Sequence, residues 1–313
     1  MTVDYRHDTE VMIEAKNLTK RYGDHLAVDS LSFSAKKGEI VGLLGPNGAG
    51  KTTTMRMLTG FMPPTEGSAK ISGHDVVEDS LEARRNVGYL PERVPLYPDM
   101  SVRGYVLFWA RLRGVSNPKA ATDAALARVN LSDRRNQLVR HLSKGLKQRL
   151  GLAQALVHNP PVIILDEPTI GIDPQQVIEV RQSVRELGKD HTVLFSTHIL
   201  SEAEQVCDRV LIINRGKIVA QGKPADLRKK LQPGTLLYVQ IGGAKKAQAR
   251  ELLTAIPGVL NVETQGDGFQ VKANGDLRGD VSARVLGAGY QLLEIRTVTT
   301  SLEDIFLELV KEG

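Results

Sequence analysis

Cysteine is almost missing from this sequence of 313 residues, and the one present, Cys207, cannot close an intramolecular disulfide. Nor can it supply a cysteine cluster for zinc or an iron–sulfur centre, and such scarcity fits a reducing compartment. No stretch reaches the roughly 18 uncharged apolar residues that a bilayer span requires, and Met1-Thr2-Val3-Asp4-Tyr5-Arg6 lacks the apolar core of a secretory signal. The expectation is a cytoplasmic chain whose membrane role, if it has one, comes through a partner. A large charge of one sign is also lacking: the net charge is +5, with −2 on residues 233–313 and +7 on the remainder. That surplus is too small to argue for a nucleic acid or an anionic membrane surface. An apolar fraction of 41% and a charged fraction of 25% exclude global disorder and a low-complexity fibre. The length suits two domains, or one elaborate domain with an appendage.

What is present is ordered punctuation. Glu39-Ile40-Val41-Gly42-Leu43-Leu44 is an apolar run of strand length that leads into Gly45-Pro46-Asn47-Gly48-Ala49-Gly50-Lys51-Thr52-Thr53. Thr54 to Thr59 then reads as helix, ending at Gly60. Val162–Leu165 and Thr192–Phe195 are continuous apolar runs of the kind found in buried parallel strands, and Pro174–Leu187 is long enough to be the crossover helix between them. Residues 101–158 carry helical patterning with breaks at Gly114–Pro118 and near Ser143, as expected of a helical insertion.

The glycine loop fits the Walker A spacing Gly45-x4-Gly50-Lys51-Thr52. Glycines let backbone N–H groups turn inward around phosphates, and the following helix aims its positive end at them. Lys51 then reaches the β- and γ-phosphates, and the Thr52 hydroxyl is placed to ligate Mg²⁺. Val162-Ile163-Ile164-Leu165-Asp166-Glu167 has Walker B form: Asp166 ends a strand and would hold Mg²⁺, while Glu167 would polarise the attacking water. His198, after another apolar strand, is placed to touch the γ-phosphate.

Pro233-Gly234 marks a boundary. Beyond it the pattern predicts strand 235–241, helix 244–255, strand 259–264, strand 269–273, helix 281–287 and strand 291–297, which is the β-α-β-β-α-β order of a ferredoxin-like domain. A last short helix opens at Thr300-Ser301-Leu302-Glu303, which has capping-box spacing.

Together these motifs resemble the ATP-binding cassette (ABC) ATPase family. The decisive piece is Leu142-Ser143-Lys144-Gly145-Leu146-Lys147-Gln148-Arg149, which resembles the family's signature loop and lies upstream of Walker B, where the family places it. Ile172-Asp173-Pro174 resembles the D-loop, Tyr22 stands where an aromatic ring stacks on adenine, His198 matches the switch histidine, and Glu92 occupies the Q-loop position. The resemblance covers about residues 11–228. It implies an α/β P-loop NTPase core with an N-terminal antiparallel β subdomain and an inserted helical subdomain at about 95–158, so that an ATPase domain of 11–232 precedes an accessory domain of 233–313. Within the family, Tyr89-Leu90-Pro91-Glu92 and Ser143-Lys144-Gly145 resemble ATPase subunits of bacterial exporters of the multidrug and gliding-motility types.

The implied function is that of a transporter's energy subunit using ATP and Mg²⁺. Tyr22, Gly45 to Thr53, Glu92, Ser143, Lys144, Gly145 and Asp173 would contact nucleotide; Thr52, Asp166 and Glu92 would serve the metal; Lys51, Glu167 and His198 would act in hydrolysis. Each ATP would lie between the Walker A loop of one chain and the signature loop of a second copy, and separate transmembrane permease subunits would dock near Glu92 at the inner face of the membrane. No direct nucleic-acid partner is expected. Two departures stand out: Glu92 replaces the family's usual glutamine, and Lys144 and Leu146 interrupt the usual Leu-Ser-Gly-Gly-Gln. An ammonium at Lys144 would meet the partner's ATP phosphates, or else point into water. The main alternative is a soluble ABC ATPase acting on nucleic acid or ribosomes, which usually carries two cassettes or a long coiled-coil insertion, and this chain has neither. A P-loop kinase is opposed by the signature loop, and a GTPase by the lack of an Asn-Lys-x-Asp motif.

Overall fold

Alternating burial builds the first layer. In β1 (Val11–Tyr22) and β2 (His25–Lys36), Ile13, Ala15, Leu18, Val28, Leu31, Phe33 and Ala35 turn inward, while Lys16, Asn17, Ser30 and Ser32 face solvent. These strands pair antiparallel, and the four-stranded sheet is completed by β4 (Glu66–Ile71) and β5 (His74–Asp75). The computed structural model describes residues 10–231 and 235–298, which divide into two compact units between Pro224 and Ala225.

Runs without alternation form the second sheet, because strands covered on both faces need apolar residues on both. β3 (Ile40–Leu44), β7 (Val162–Leu165) and β8 (Thr192–Thr197) are buried at every residue. With β6 (Val87–Leu90), β9 (Arg209–Asn214) and β10 (Lys217–Gly222) they form the order β10-β9-β3-β8-β7-β6. All neighbours are parallel except β9 and β10. α6 (Pro174–Leu187) carries the chain from β7 to the adjacent parallel β8, as a crossover helix must.

Two helices follow β3 and β5 in this unit, α1 (Lys51–Leu58) and α2 (Ser80–Arg85). The insertion consists of α3 (Val102–Leu112), α4 (Pro118–Arg128) and α5 (Lys144–Leu156), broken at the two places where the helical pattern fails. α7 (Leu200–Val206) follows β8, and α8 (Pro224–Leu231) begins at the division between the units. Among the described residues no helix is long and apolar enough to cross a membrane.

The second unit is an antiparallel sheet in the order β12-β13-β11-β14, from β11 (Thr235–Gly242), β12 (Val259–Gln265), β13 (Gly268–Ala273) and β14 (Gln291–Val298). Helices α9 (Lys246–Thr254) and α10 (Arg278–Gly287) cover one face, packing Ala249, Leu253, Val281 and Val285 onto Leu237, Val239, Val262, Phe269 and Val271. This is the ferredoxin-like order expected from the pattern. The helix expected from Thr300 lies outside the described residues.

Candidate active site

One difference from the sequence reading sets up the site: the helix after the glycine loop starts at Lys51 rather than Thr54. Gly50 makes this possible, since its φ of 103° turns the chain sharply and a Cβ there would lie 2.5 Å from the Ala27 carbonyl oxygen. Lys51 and Thr52 are therefore the first residues of α1, at the positive end of its dipole. The Lys51 ammonium is only 6% exposed and donates to the carbonyls of Gly45 at 2.7 Å and Pro46 at 3.1 Å. Its third contact is an ion pair with Glu167 Oε1 at 3.1 Å.

At the end of β7 one hydroxyl organises both acidic residues. Ser196 Oγ donates to Asp166 Oδ1 at 2.8 Å and accepts from the Glu167 backbone N–H at 2.9 Å. Thr52 Oγ1 donates to the same Asp166 oxygen at 3.2 Å, joining the α1 terminus to β7. Burial drives the Asp166 carboxyl above its ordinary pKa; the Ser196 and Thr52 hydroxyls oppose that shift, while the negative charges of Glu167 and Glu92 add to it. Glu167 Oε2 faces His198 Nδ1 at 2.9 Å. Glu167 also holds a left-handed backbone with φ 47°, a conformation that costs a non-glycine residue about 1–3 kcal/mol and that gathers at functional sites.

Tyr22, Asn47, Gly48, Gly50, Lys51, Thr52, Thr53, Glu92 and Glu167 line one open cleft, joined by His25, Ala27 and Ile170. Gly45, Pro46 and Ala49 shape the loop from behind: Gly45 and Pro46 hold Lys51, and the Ala49 carbonyl accepts from Gly216 N–H at 3.0 Å. Tyr22 is 46% exposed, with Lys20 Nζ 5.5 Å from its ring centroid. Sequence reasoning missed His25 and Ser196. Ser196 was visible two residues before His198, but nothing in the spacing tied it to Asp166.

The signature residues are not in this cleft. Ser143 caps α5, its Oγ accepting from Leu146 N–H at 3.3 Å. Gly145 is buried beneath the Gln176 side chain, whose amide end would have to shift to admit a Cβ. Lys144 extends its ammonium over Gly171 of the same chain. Asp173 caps α6, accepting from Gln176 N–H at 3.1 Å.

The donors suit a magnesium ion. Asp166 Oδ2 is buried and without a hydrogen-bond partner, and the Thr52 hydroxyl adds a second hard oxygen. Among the described residues no group of three His, Cys, Asp or Glu side chains could hold a metal by itself. The Asp166 carboxylate and Thr52 hydroxyl suit Mg²⁺, which takes one or two protein ligands and completes its shell with substrate phosphates and water.

Comparison with known proteins agrees with this geometry. Residues 28–170 match the family model described as ABC transporter, and residues 222–310 match the C-terminal domain of DrrA1-3-like ATP-binding proteins. The chain is 36% identical to the bacitracin transport ATP-binding protein BcrA of Bacillus licheniformis, over 96% of this chain and 98% of that protein. It is 39% identical to the Nod factor export ATP-binding protein I of Burkholderia thailandensis, over 95% and 96% of the two chains. Among solved structures, the ATP-binding subunit of an ABC transporter superposes with a TM-score of 0.64 at 32% identity, over 70% of this chain and 92% of that one. A dimeric post-hydrolysis state of the ATP-binding cassette MJ0796, bound to ADP and phosphate, superposes with a TM-score of 0.62 at 26% identity, over 68% and 99%. The chain belongs to the ABC transporter family, as its ATP-binding and ATP-hydrolysing subunit.

Proposed function

We propose that this subunit powers export through separate membrane subunits, with ATP held in the cleft between Tyr22 and the Walker motifs. The observation that supports the reading is the convergence of Lys51, Thr52, Asp166, Glu167 and His198 through direct contacts, with Lys51, Thr52 and Glu167 lining that cleft. Thr52 and Asp166 would hold Mg²⁺, with Glu92 beside them; when bound, the ion neutralises charge on the phosphate oxygens. Lys51 trades its loop carbonyls for phosphate oxygens, and Glu167, oriented by His198, orders the attacking water. The signature residues Ser143, Lys144 and Gly145, with Asp173, do not line their own cleft and would serve the ATP of a second copy. Export is favoured because relatives along nearly the full chain are named for antibiotic transport and Nod factor export.

The test is affinity capture of the full-length chain from solubilised membranes. A co-purifying integral membrane protein, retained after nuclease treatment, is the expected result and places the subunit at the inner membrane face. Recovery with ribosomes or nucleic acid, lost on nuclease treatment, would replace this reading with the soluble alternative.

Two further outcomes are expected. Stacking recognises an aromatic face rather than base edges, so Tyr22→Ala weakens ATP and GTP alike by roughly fivefold, about 1 kcal/mol, whereas Tyr22→Phe is tolerated. Unchanged nucleotide affinity in Tyr22→Ala, measured by titration calorimetry, would remove the ring from the site. None of the described residues beyond Ala225 lines the cleft, so a chain ended near Gln232, which lacks most of the C-terminal unit, still binds ATP; loss of binding in a folded truncation would show that the removed part helps build the site.

A further inference from the structure

Outside the nucleotide site, Glu202 is the most deeply buried acidic or basic side chain among the described residues, at 1% exposure. It sits in α7, and its carboxylate reaches three separate segments. Oε2 accepts from Thr169 Oγ1 at 2.7 Å and from Thr197 Oγ1 at 2.9 Å, and Oε1 accepts from Arg181 Nη2 of α6 at 3.1 Å. Thr197 directly precedes His198, and the same Thr197 hydroxyl accepts from Ile199 N–H at 3.0 Å, so the backbone on both sides of His198 is fixed. Thr169 follows Glu167 by two residues. One carboxylate oxygen therefore fastens the turn that carries Glu167 to the turn that carries His198.

Burying a carboxylate is costly unless its lone pairs are met, and an apolar contact would hold two turns together more cheaply. A shared acceptor does something an apolar contact does not, because its directional bonds fix the angle between the turns as well as their distance. We propose that Glu202 is a positioning residue for hydrolysis, keeping His198 at its 2.9 Å contact with Glu167 through Thr169 and Thr197. The proposal rests on the assignment of Glu167 and His198 to the hydrolytic step, and it names a buried residue that does not line the nucleotide cleft.

Thr169→Val removes one of the two hydroxyl donors to Oε2 with little change of side-chain shape and leaves His198 and Glu167 unsubstituted. In the full-length chain it lowers kcat about tenfold, since small misplacements of reacting groups are expensive, and leaves KM for ATP within about twofold. Thr169→Ser restores the hydroxyl and the rate. Glu202→Gln, which loses part of the acceptor capacity, follows Thr169→Val in direction. The distinguishing measurement is the same Thr169→Val substitution in a His198→Ala background, followed by single-turnover hydrolysis with thermal melts as a folding check. With the histidine gone there is no His198–Glu167 contact left to hold, and the further loss is less than about twofold. An equal loss in both backgrounds, or wild-type kcat in folded Thr169→Val and Glu202→Gln, would overturn the role of Glu202 while leaving Glu167 and His198 as assigned. Undiminished turnover in His198→Ala and Glu167→Gln alone would remove the hydrolytic assignment, and the positioning role with it.

Discussion

Glu167→Gln retains ATP binding and loses turnover, by about 10²–10³ in kcat. The amide keeps the size of the side chain and an oxygen toward His198, so the cleft keeps its shape. What it loses is the negative charge that orients and accepts from the attacking water. Binding survives because, in the proposed site, the phosphate contacts fall to Lys51, Thr52 and the loop N–H groups. The backbone supports this reading too: a left-handed φ of 47° at Glu167 aims the carboxylate between Lys51 Nζ and His198 Nδ1, at 3.1 and 2.9 Å. Removing the Lys51 partner charge leaves the ammonium with its two carbonyl acceptors, so folding is little affected. Phosphate release at saturating ATP, set beside equilibrium ATP titration, makes the separation directly visible. Wild-type turnover in the folded variant would take Glu167 out of the hydrolytic step.

Much of this site was readable because its chemistry is local in sequence. The Walker A loop needs glycine, lysine and threonine at fixed spacing, and strand runs with no alternation announce a buried parallel sheet; both took the positions expected, as did β7 and α6 to the residue. What stayed hidden depends on contacts between distant segments. Ser196 meets Asp166 across 30 residues and Thr169 meets Glu202 across 33, and no spacing rule encodes such pairs. Lys144 shows the same limit from another side. A cation in a signature loop points to a second copy's phosphate by charge alone, and the sequence does not say that within its own chain the ammonium lies beside Gly171. Where an individual long side chain goes is decided by packing between loops, which sequence order does not carry.

Lys51→Ala weakens ATP binding as well as turnover, and its effect on stability is tied to Glu167. Contacts between an ammonium and phosphate oxygens are charge-assisted and contribute about 1.5–3 kcal/mol each, so losing even one lowers ATP affinity roughly tenfold or more. The same substitution removes the cation beside a carboxylate that is only 4% exposed. A buried anion stripped of its cation is destabilising, but His198 remains against the other Glu167 oxygen, which holds the expected cost to about 1–3 kcal/mol. Because Glu167→Gln abolishes the charge left stranded, Lys51→Ala combined with Glu167→Gln is more stable than the sum of the single losses predicts. Coupling of this kind marks residues in direct contact, and pairs farther apart than about 7–10 Å add independently. Calorimetric titration with ATP measures the first effect, and thermal unfolding of the four proteins in the cycle measures the second. Strict additivity of the two substitutions would show that the 3.1 Å Lys51–Glu167 pair carries no net energy. Unchanged ATP affinity in Lys51→Ala would instead place the phosphates on the loop amides alone, with the lysine serving only to close the loop through Gly45 and Pro46.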